Sequence, residues 1–549
     1  MIEIEADIAV MGAGFSGSLT AMLVQRIGLR PVLIDRGAHP RFAIGESSTP
    51  VANLVLEGLA GRYDLPRIVP LSNYAAWKKT YPQIVCGLKR GFSYFHHQLG
   101  HDFQPRSNRA NELLVAASLT DEDADTHWLR ADFDQFLAEE AVRLGVPYFP
   151  HTSIDRLEPR GAGWELSGKC HGLPQCMREG SSSDSAEIRV RADFIIDASG
   201  EGGFLAKQLG ILPHPAGLKT RSRGLFSHFK NVARWSDLYA KRGGDISGHP
   251  YPCDDAALHH VFDGGWMWVL PFDNGVTSAG FALDPERFPL ESSGTPAAEW
   301  QALLARLPAV AEQFANAEPL VPWRQSGRMQ RRVSQSAGPN WVMLPNTAAF
   351  HDPLHSTGNT FTLMGIERLI GILERCWSIS GDRDSSSPFG ELANSSGRES
   401  LTAKRTRGSS PEPQWTRLAD ELQNYDALIQ QEVEFIDLVV SGSYAGFREF
   451  ERMIAMSMFY FATAIWSEEE RRAGRVAQGA AYLSANNPQL KSALKQAYRD
   501  LTDPNISGAE LTDKVRAAIA PFNRVGLCNP DLCNMYPYEF TPAATPNAS

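Results

Sequence analysis

The spacing of apolar and polar residues divides the chain into two unlike parts. Up to residue 377, short strand-like apolar runs alternate with helical periods, whereas from residue 416 onward the apolar positions recur at helical spacing. Two segments follow neither pattern. We predict that residues 168–186 form a mobile insertion and that residues 379–415, rich in Ser, Gly, Arg and Pro, are disordered. The pattern therefore predicts an α/β region followed by a helical C-terminal region.

The most specific pattern lies at the start of the chain. An apolar strand ends at Met11, GAGFSG follows at 12–17, and a helical stretch leads to a second strand ending at Asp35. This is the order of a dinucleotide-binding unit, whose glycines permit the tight turn, the approach of a pyrophosphate and close helix packing. The helix N-terminus favours phosphate charge, and Asp35 is placed to accept hydrogen bonds from a ribose. The predicted nucleotide contacts are Gly12, Ala13, Gly14, Phe15, Ser16, Gly17, Asp35 and Arg36.

Composition argues against nucleic-acid-binding, zinc-binding, secreted and membrane-spanning classes of protein. The chain has 549 residues, 43% of them hydrophobic, and a net charge of −10, which gives no support for nucleic acid binding. Its seven cysteines are scattered without zinc-site spacing, so we expect free thiols in a reducing cytoplasm and no metal site. The N-terminus is too acidic for a signal peptide. No apolar run reaches about eighteen residues, so no membrane-spanning helix is expected.

Three later features decide between a nicotinamide dehydrogenase and a flavoprotein. Arg130 opens a helix after the first unit, DASG at 197–200 ends a later strand, and FHDPLHSTG at 350–358 precedes another helix. A helix N-terminus of this kind can stabilise the negative edge of a reduced flavin or a halide ion. Arg130 could contact the phosphates or the ribityl chain. Each feature alone is an ordinary turn, but their order along the chain favours a flavin.

That order resembles the FAD-dependent monooxygenase superfamily and, more narrowly, the flavin-dependent halogenases. GESSTP at 45–50 is similar to the family's G-E-x-x-x-P loop, and WMWVLP at 266–271 is similar to W-x-W-x-I-P, with Leu270 in place of isoleucine. FHDPLHSTG at 350–358 fits F-x-x-P-x-x-S-x-G fully. GLKRGFS at 87–93 resembles the lysine strand of the phenol and phloroglucinol halogenases. The resemblance covers roughly residues 1–375.

The resemblance implies a fold. We expect an α/β protein with an α+β substrate part: a three-layer, glutathione-reductase-like FAD domain interleaved with a β-sheet substrate domain. The FAD domain would comprise residues 1–220 and 325–378, and the substrate domain residues 221–324. Residues 416–549 would form a helical region that caps the substrate cavity. Its aromatic and methionine stripe, over residues 453–461, fits either a cavity lining or a packed core.

The resemblance also implies a reaction. Reduced FAD and O₂ would give a C4a-hydroperoxide, and chloride or bromide would attack it to yield hypohalous acid, which would halogenate a small free phenol. The implied flavin contacts beyond the first unit are Glu46, Ser47, Arg130, Asp197, Gly200, Asp352 and Gly358. The implied halide site is Pro353, Ser356, Thr357 and Gly358, with Ser356 also counted as catalytic.

The implied reaction needs a barrier between flavin and substrate, and a residue that receives the oxidant. Trp266 and Trp268 are two apart on a predicted strand and so face the same side, where two indoles would separate flavin from substrate. Lys89 is the predicted receiver. Its ordinary pKa of about 10.4 could fall by roughly 3–5 units on burial, so it could act as an amine that is chlorinated or as an ammonium that polarises hypohalous acid. Both alternatives stay open at this point.

Other readings remain beside this one. With a single glycine fingerprint, a separate flavin reductase would supply FADH₂. A single-component NAD(P)H-dependent aromatic hydroxylase would share the fold, and a non-catalytic flavin-binding protein would share the first unit. Four histidines near the motifs could orient a hydroxyl or be structural: His96, His97, His351 and His355. A monomer and a homodimer both fit the sequence.

Overall fold

A computed structural model describes residues 1–171, 185–290, 294–377, 413–477 and 479–539. Most of the predicted insertion and nearly all of the predicted disordered segment lie outside these residues. The strands are β1 (Ile2–Met11), β2 (Pro31–Ile34), β3 (Cys86–Lys89), β4 (Gly91–His97), β5 (Glu112–Ala116), β6 (Asp125–Trp128), β7 (Tyr148–Phe149), β8 (Thr152–Arg160), β9 (Gly163–Cys170), β10 (Ala186–Asp197), β11 (Arg223–Lys230), β12 (Ala257–Phe262), β13 (Gly265–Pro271), β14 (Thr277–Leu283), β15 (Glu318–Pro319), β16 (Arg324–Arg328), β17 (Arg331–Arg332), β18 (Ala337–Gly338), β19 (Trp341–Met343), β20 (Ala349–Phe350) and β21 (Met535–Tyr536). The α-helices are α1 (Phe15–Arg26), α2 (Pro50–Arg62), α3 (Tyr74–Thr80), α4 (Arg130–Arg143), α5 (Phe204–Gln208), α6 (Trp235–Lys241), α7 (Pro296–Ala305), α8 (Pro308–Gln313), α9 (Pro345–Ala348), α10 (Thr357–Cys376), α11 (Pro413–Gly446), α12 (Phe450–Arg472), α13 (Pro488–Thr502) and α14 (Gly508–Ile519).

The first large sheet has a parallel centre. Its order is β18-β19-β10-β1-β2-β7, and β9 and β8 extend it antiparallel from β10. The register aligns the strand ends: Met11 lies opposite both Ile34 and Asp197, and Asp197 lies opposite Met343. The turns after β1, β2, β10 and β19 therefore meet at one edge, where open α/β sheets bind their ligands.

The second large sheet has nine strands. Its order is β15-β11-β14-β13-β12-β4-β5-β21, with β16 also paired to β11. Strands β4, β5 and β21 come from outside residues 221–324, so this sheet draws on both sides of the expected domain boundaries. The division into domains stays a prediction. Strands β3 and β4 are adjacent in the chain but lie in different sheets, because β3 pairs with β6 and β4 pairs with β12 and β5.

The C-terminal region is helical, and with the two sheets it confirms the predicted fold class. Helices α11 and α12 pack against each other, α11 also packs on α10, and α12 also packs on α2. Within the described ranges, no helix combines the length and the apolarity that crossing a membrane requires.

Candidate active site

The glycine turn lies at the carboxyl end of β1. Gly12 has a φ of +102°, and a Cβ there would lie 2.6 Å from the Ala198 carbonyl oxygen. A Cβ on Gly17 would lie 1.8 Å from the Gly12 carbonyl oxygen, so α1 can approach the turn only with glycine at this position. By contrast, no backbone lies within 4 Å of a Cβ placed on Gly14, which caps α1. The turn therefore leaves the helix N-terminus accessible to a pyrophosphate.

Asp35 lies beside this turn, and each oxygen of its carboxylate accepts two hydrogen bonds. Oδ2 accepts a hydrogen bond from the Ala13 amide at 2.6 Å, and Oδ1 accepts one from the Gly37 amide at 2.7 Å. Arg41 donates to both oxygens, at 2.6 and 2.8 Å. Burial raises the pKa of Asp35, but the bonds and charge of Arg41 outweigh burial and lower it. A ribose could reach this carboxylate only by displacing Arg41.

The segment after β10 approaches the same turn from the other side. The Asp197 carboxylate is buried and accepts hydrogen bonds from the amides of Ser199, at 2.9 Å, and Leu205, at 2.7 Å. Its side chain thus shapes the loop. Gly200 has a φ of +60° and donates its amide to Thr347 at 3.0 Å. Arg36, exposed, extends toward this loop.

Arg130 connects the glycine turn to the loop at 45–50. It forms a two-point ion pair with Asp134, at 2.7 and 2.8 Å, and its guanidinium lies 4.9 Å from the centre of the Phe15 ring. A third nitrogen donates to the carbonyl oxygens of Ile44, at 2.7 Å, and Gly45, at 3.1 Å. The residue is buried, so its charge is fixed where phosphates would follow the turn.

The 45–50 loop is held by contacts with two side chains outside it, those of His228 and Asn359. Glu46 is buried and lies 2.7 Å from Nε2 of His228 on β11. Asn359, in the first turn of α10, donates to the carbonyl oxygens of Gly45, at 3.2 Å, and Ser47, at 3.3 Å. Within the described residues, the buried Ser47 hydroxyl has no hydrogen-bond partner. A cleft of about 290 Å³ adjoins this loop, and its lining includes Arg41, Phe42, Leu129 and His228.

The predicted halide motif forms the start of α10. Ser356 caps the helix in the left-handed region, with a φ of +54° and no side-chain capping bond. The Thr357 hydroxyl is buried and finds no hydrogen-bond partner in the part of the chain that the structure describes. Gly358 is exposed, and a Cβ placed there would find nothing within 4 Å. The first turn of α10 therefore presents its N-terminus to open space, beside the 45–50 loop that Asn359 ties to it.

Asp352 in the same motif is tied to the tryptophan pair. Its carboxylate accepts hydrogen bonds from the Ser222 hydroxyl, from the Tyr444 hydroxyl at 2.9 Å and from the Trp266 indole at 3.2 Å. Trp266 Nε1 also donates to the Tyr444 hydroxyl at 2.9 Å. Burial raises the pKa of Asp352, although these donors oppose it. The carboxylate thus fixes the halide motif to β13 and α11.

Trp266 and Trp268 lie on one face of β13, as their spacing predicts. Their ring centres are 5.8 Å apart at an angle of 53°. Trp268 donates to the Ser278 hydroxyl at 3.3 Å, and Trp266 lies 5.2 Å from the ring of His259. Both indoles are buried, at 1% and 5% exposure, so together they form a continuous aromatic wall.

Lys89 at the end of β3 has no solvent exposure. Its Nζ donates a short hydrogen bond to the carbonyl oxygen of Ser48, in the 45–50 loop, and lies 4.0 Å from the centre of the Phe92 ring. Burial lowers the pKa of Lys89 to about 8, against the opposing charge of Asp125. The lysine therefore joins the predicted flavin loop to the aromatic residues beyond it.

Asp125 lies opposite Lys89 in the β3–β6 pair. Asn53 donates to its Oδ1 at 2.9 Å, and its Oδ2 is buried without a hydrogen-bond partner. Burial raises the pKa of Asp125 to about 8, and the charge of Lys89 opposes that rise.

Phe92 also lines an apolar pocket. Its free volume is about 30 Å³, so an aromatic ring could enter only if lining side chains moved. The lining includes Thr49, Phe92, Tyr460, Phe461, Glu468 and Tyr482. Of the predicted stripe on α12, Tyr460 and Phe461 thus face the pocket, whereas Met453, Met456, Met458 and Phe459 lie in the core.

The four candidate histidines occupy different places. His355 lies between halide motif and pocket, with Nδ1 at 2.9 Å from the Tyr94 hydroxyl and its ring stacked on Tyr460. His351 is buried, and burial lowers its pKa to about 3. His96 bonds the Phe447 carbonyl oxygen, and His97 bonds His260. His97 and His96 are therefore structural in this arrangement.

Sequence reasoning missed five residues of this site: Asp125, His228, Asn359, Tyr444 and Glu468. Asn359 directly follows the motif at 350–358. Its place in the first turn of the predicted helix is the signal that could have identified it. The other four each contact a residue that is distant in the chain, on another strand, helix or loop. No spacing in the sequence marks such pairs.

Comparisons with known proteins show which sequences and folds the chain is similar to. No protein-family model matches the chain. The tetracycline 7-halogenase of Kitasatospora aureofaciens is 31% identical over 360 residues, which are 64% of this chain and 60% of that protein. The monodechloroaminopyrrolnitrin halogenase PrnC of Pseudomonas fluorescens is 27% identical over 66% of this chain and 60% of its own length. Flavin-dependent halogenase gsfI of Penicillium aethiopicum is 24% identical over 65% and 62%. The chain thus matches about three-fifths of each relative.

Solved structures extend the likeness to nearly the whole fold. The crystal structure of halogenase PltM in complex with phloroglucinol and FAD has a TM-score of 0.77 at 22% identity, covering 96% of this chain and 98% of that one. The structure of flavin-dependent brominase Bmp2 has a TM-score of 0.53 at 16% identity, over 94% and 99%. These likenesses concern the fold. With the curated relatives, they confirm the resemblance to the flavin-dependent halogenases.

Proposed function

We propose that this chain, as a relative of the flavin-dependent halogenases, uses FADH₂ and O₂ to oxidise chloride or bromide and halogenates a small phenolic substrate through Lys89. The observation that carries the proposal is the position of Lys89. It is buried, it bonds the 45–50 loop through Ser48, and it lies over Phe92, which lines the apolar pocket. A lysine so placed can pass an oxidant from one compartment to the other.

The residues present fit FAD. Gly14 leaves room in front of the α1 N-terminus, where backbone N–H groups would bind the pyrophosphate, and Arg130 would neutralise its charge. The buried hydroxyls of Ser47 and Thr357, which have no hydrogen-bond partner among the described residues, would face the flavin ring and the halide. Gly358 opens the α10 N-terminus to a halide or to the flavin's negative edge. Bound in its reduced form, FAD supplies with O₂ the oxidising power that converts halide to hypohalous acid.

The chain's own groups then control where the oxidant goes. Trp266 and Trp268 form a wall that Tyr444 and Asp352 hold in position, so substrate does not contact the flavin. Lys89, with a pKa of about 8, is largely an ammonium at neutral pH and can donate a hydrogen bond to hypohalous acid, which makes the halogen more electrophilic. Phe92 and the other apolar side chains exclude water that would compete for the oxidant.

The proposal also includes the source of reduced flavin, the cellular location of the protein and the class of its substrate. The sequence has one complete glycine fingerprint, which supports a separate NAD(P)H-dependent reductase as the source of FADH₂. The described cysteines are free thiols, five of them buried, which supports the reducing cytoplasm as the location. Halogenase PltM, solved with phloroglucinol, supports a small phenol as substrate.

Mass spectrometry of a turnover mixture tests the proposal. The mixture contains the protein, FAD, a flavin reductase, NADH, bromide and a panel of phenols that includes phloroglucinol and resorcinol. We expect a bromine isotope doublet that requires the reductase. A product that gains one oxygen, or NADH oxidation without the reductase, would assign the protein to the aromatic hydroxylases. FAD binding without any oxygen-dependent product would favour a non-catalytic flavin protein.

A further inference from the structure

Glu468 is the one carboxylate among the residues that line the apolar pocket. It lies near the end of α12, and its side chain is only 4% exposed. The other lining residues are aliphatic, aromatic or uncharged hydroxyl-bearing side chains. A buried carboxylate in such a lining needs a reason, since removing a charge from water is costly.

The carboxylate is oriented by two donors. Nε of Arg472 donates to Oε1 at 2.9 Å, and the Tyr538 hydroxyl donates to the same oxygen at 2.8 Å. Within the described residues, both hydrogen bonds to the Glu468 side chain thus end on Oε1. A carboxylate can accept about four hydrogen bonds, so Oε2 retains the capacity to accept one from a molecule in the pocket.

The neighbouring charges set the basicity of this group. Burial raises the pKa of Glu468, and Arg472 and Tyr538 oppose that rise. Glu469 follows on the same helix, and Asp125 on β6 is close enough for its own pKa to be raised by Glu468. Phe92, which also lines the pocket, has Lys89 Nζ 4.0 Å from its ring centre. The lining therefore includes a basic carboxylate and a ring that contacts an ammonium.

We propose that Glu468 binds the hydroxyl of the aromatic substrate through Oε2 and accepts its proton during halogen transfer, which makes a free phenolic O–H the feature that this pocket selects. This inference rests on the proposed halogenase function.

The step is balanced by hypohalous acid alone. The ring carbon ortho or para to the hydroxyl forms a bond to the halogen while the halogen–oxygen bond breaks and its electron pair leaves as hydroxide. The phenolic proton passes to Glu468, so the ring becomes a neutral dienone rather than a cation. The ring carbon then loses its proton to the hydroxide, giving water, and Glu468 returns its proton to the phenolic oxygen. Spreading the positive charge away from the ring lowers the barrier to attack.

The test compares resorcinol with its dimethyl ether in bromination assays of the wild type and Glu468→Gln. Both rings are activated, but only resorcinol has a proton to give. We expect the variant to lose about 100-fold in kcat/KM for resorcinol and to leave the rate for the ether nearly unchanged. Glu470→Gln, two residues along and paired with Arg475 at 2.7 Å, is the matched control and keeps both rates. An equal loss for both substrates, or no loss for resorcinol, would overturn the proposal.

Two further measurements keep the result unambiguous. Bromination of monochlorodimedone reports formation of hypobromous acid. If the wild type fails this assay, the halogenase function itself is wrong; if it passes but does not brominate resorcinol, only the role of Glu468 is wrong. The second measurement is the wild-type pH profile, which needs no variant. Protonation of Glu468 should lower kcat/KM for resorcinol at acid pH and spare the ether, and parallel profiles for the two substrates would contradict the proposal.

Discussion

Lys89 and Asp125 face each other across strands β3 and β6, and both are buried. The lysine bonds the 45–50 loop through Ser48 and touches the pocket through Phe92. Asp125 acts on it through charge: burial lowers the pKa of Lys89, and the carboxylate limits that fall. The pair thus sets the protonation of the group proposed to receive the oxidant.

Replacing Lys89 should separate oxidant formation from its use. We expect Lys89→Met to lower phenol bromination by at least about 100-fold while the bromination of monochlorodimedone persists, because the halide motif and the glycine turn are unchanged. Arg90→Met is the matched control: Arg90 is adjacent but pairs with the exposed Asp121 at 2.5 Å. Phenol bromination that survives in Lys89→Met would remove Lys89 from the reaction.

The pH profile should report the ionisation of Lys89. If the ammonium polarises hypohalous acid, phenol bromination falls as pH rises through about 8, where Lys89 loses its proton. Asp125→Asn removes the carboxylate whose charge raises this pKa, so the fall in rate should move to lower pH. Asp121→Asn, which alters an exposed carboxylate, should leave the profile in place. A rate that instead rises through pH 8 would show that the neutral amine is the active form.

Two glycines should respond oppositely to alanine. Gly17→Ala places a Cβ 1.8 Å from the Gly12 carbonyl oxygen, so we expect a loss of about 1–3 kcal/mol in the free energy of unfolding and loss of bound FAD on gel filtration. Gly358→Ala meets nothing within 4 Å, so its melting temperature should be unchanged. Its methyl group would nevertheless crowd the proposed halide site, and we expect the bromide KM to rise by about tenfold. A normal bromide KM would exclude Gly358 from that site.

Tyr444→Phe should weaken the anchorage of the tryptophan wall. The hydroxyl bonds both Trp266 and the buried Asp352, at 2.9 Å each, and its removal leaves two buried groups short of a partner. Urea unfolding should show a loss of about 1–3 kcal/mol. Tyr498→Phe, on partly exposed α13, is the control and should change the free energy of unfolding little. Equal stability of the two variants would mean that the wall is held by packing alone.

The sequence predicted the secondary-structure elements better than it predicted the side-chain contacts between them. The dinucleotide unit, the shared face of Trp266 and Trp268 and the helical C-terminal region all follow from local periodicity, which fixes an element and its face. Local periodicity cannot fix which side chains from distant elements meet. Arg41 on Asp35 is a pair only six residues apart, yet it depends on the path of a loop. The contacts of Tyr444 and Glu468 depend on how α11 and α12 pack against the sheets.

The pairing of Arg41 with Asp35 has a consequence for the lifetime of any bound nucleotide. A ribose that needs this carboxylate must first release Arg41, and whenever the ribose departs the arginine can return. Occupation of the site is therefore an exchange of one partner for another, and the net gain is smaller than the contacts alone suggest. Such a site favours rapid turnover of its guest. That would suit the function proposed above, in which another enzyme supplies reduced cofactor in every cycle.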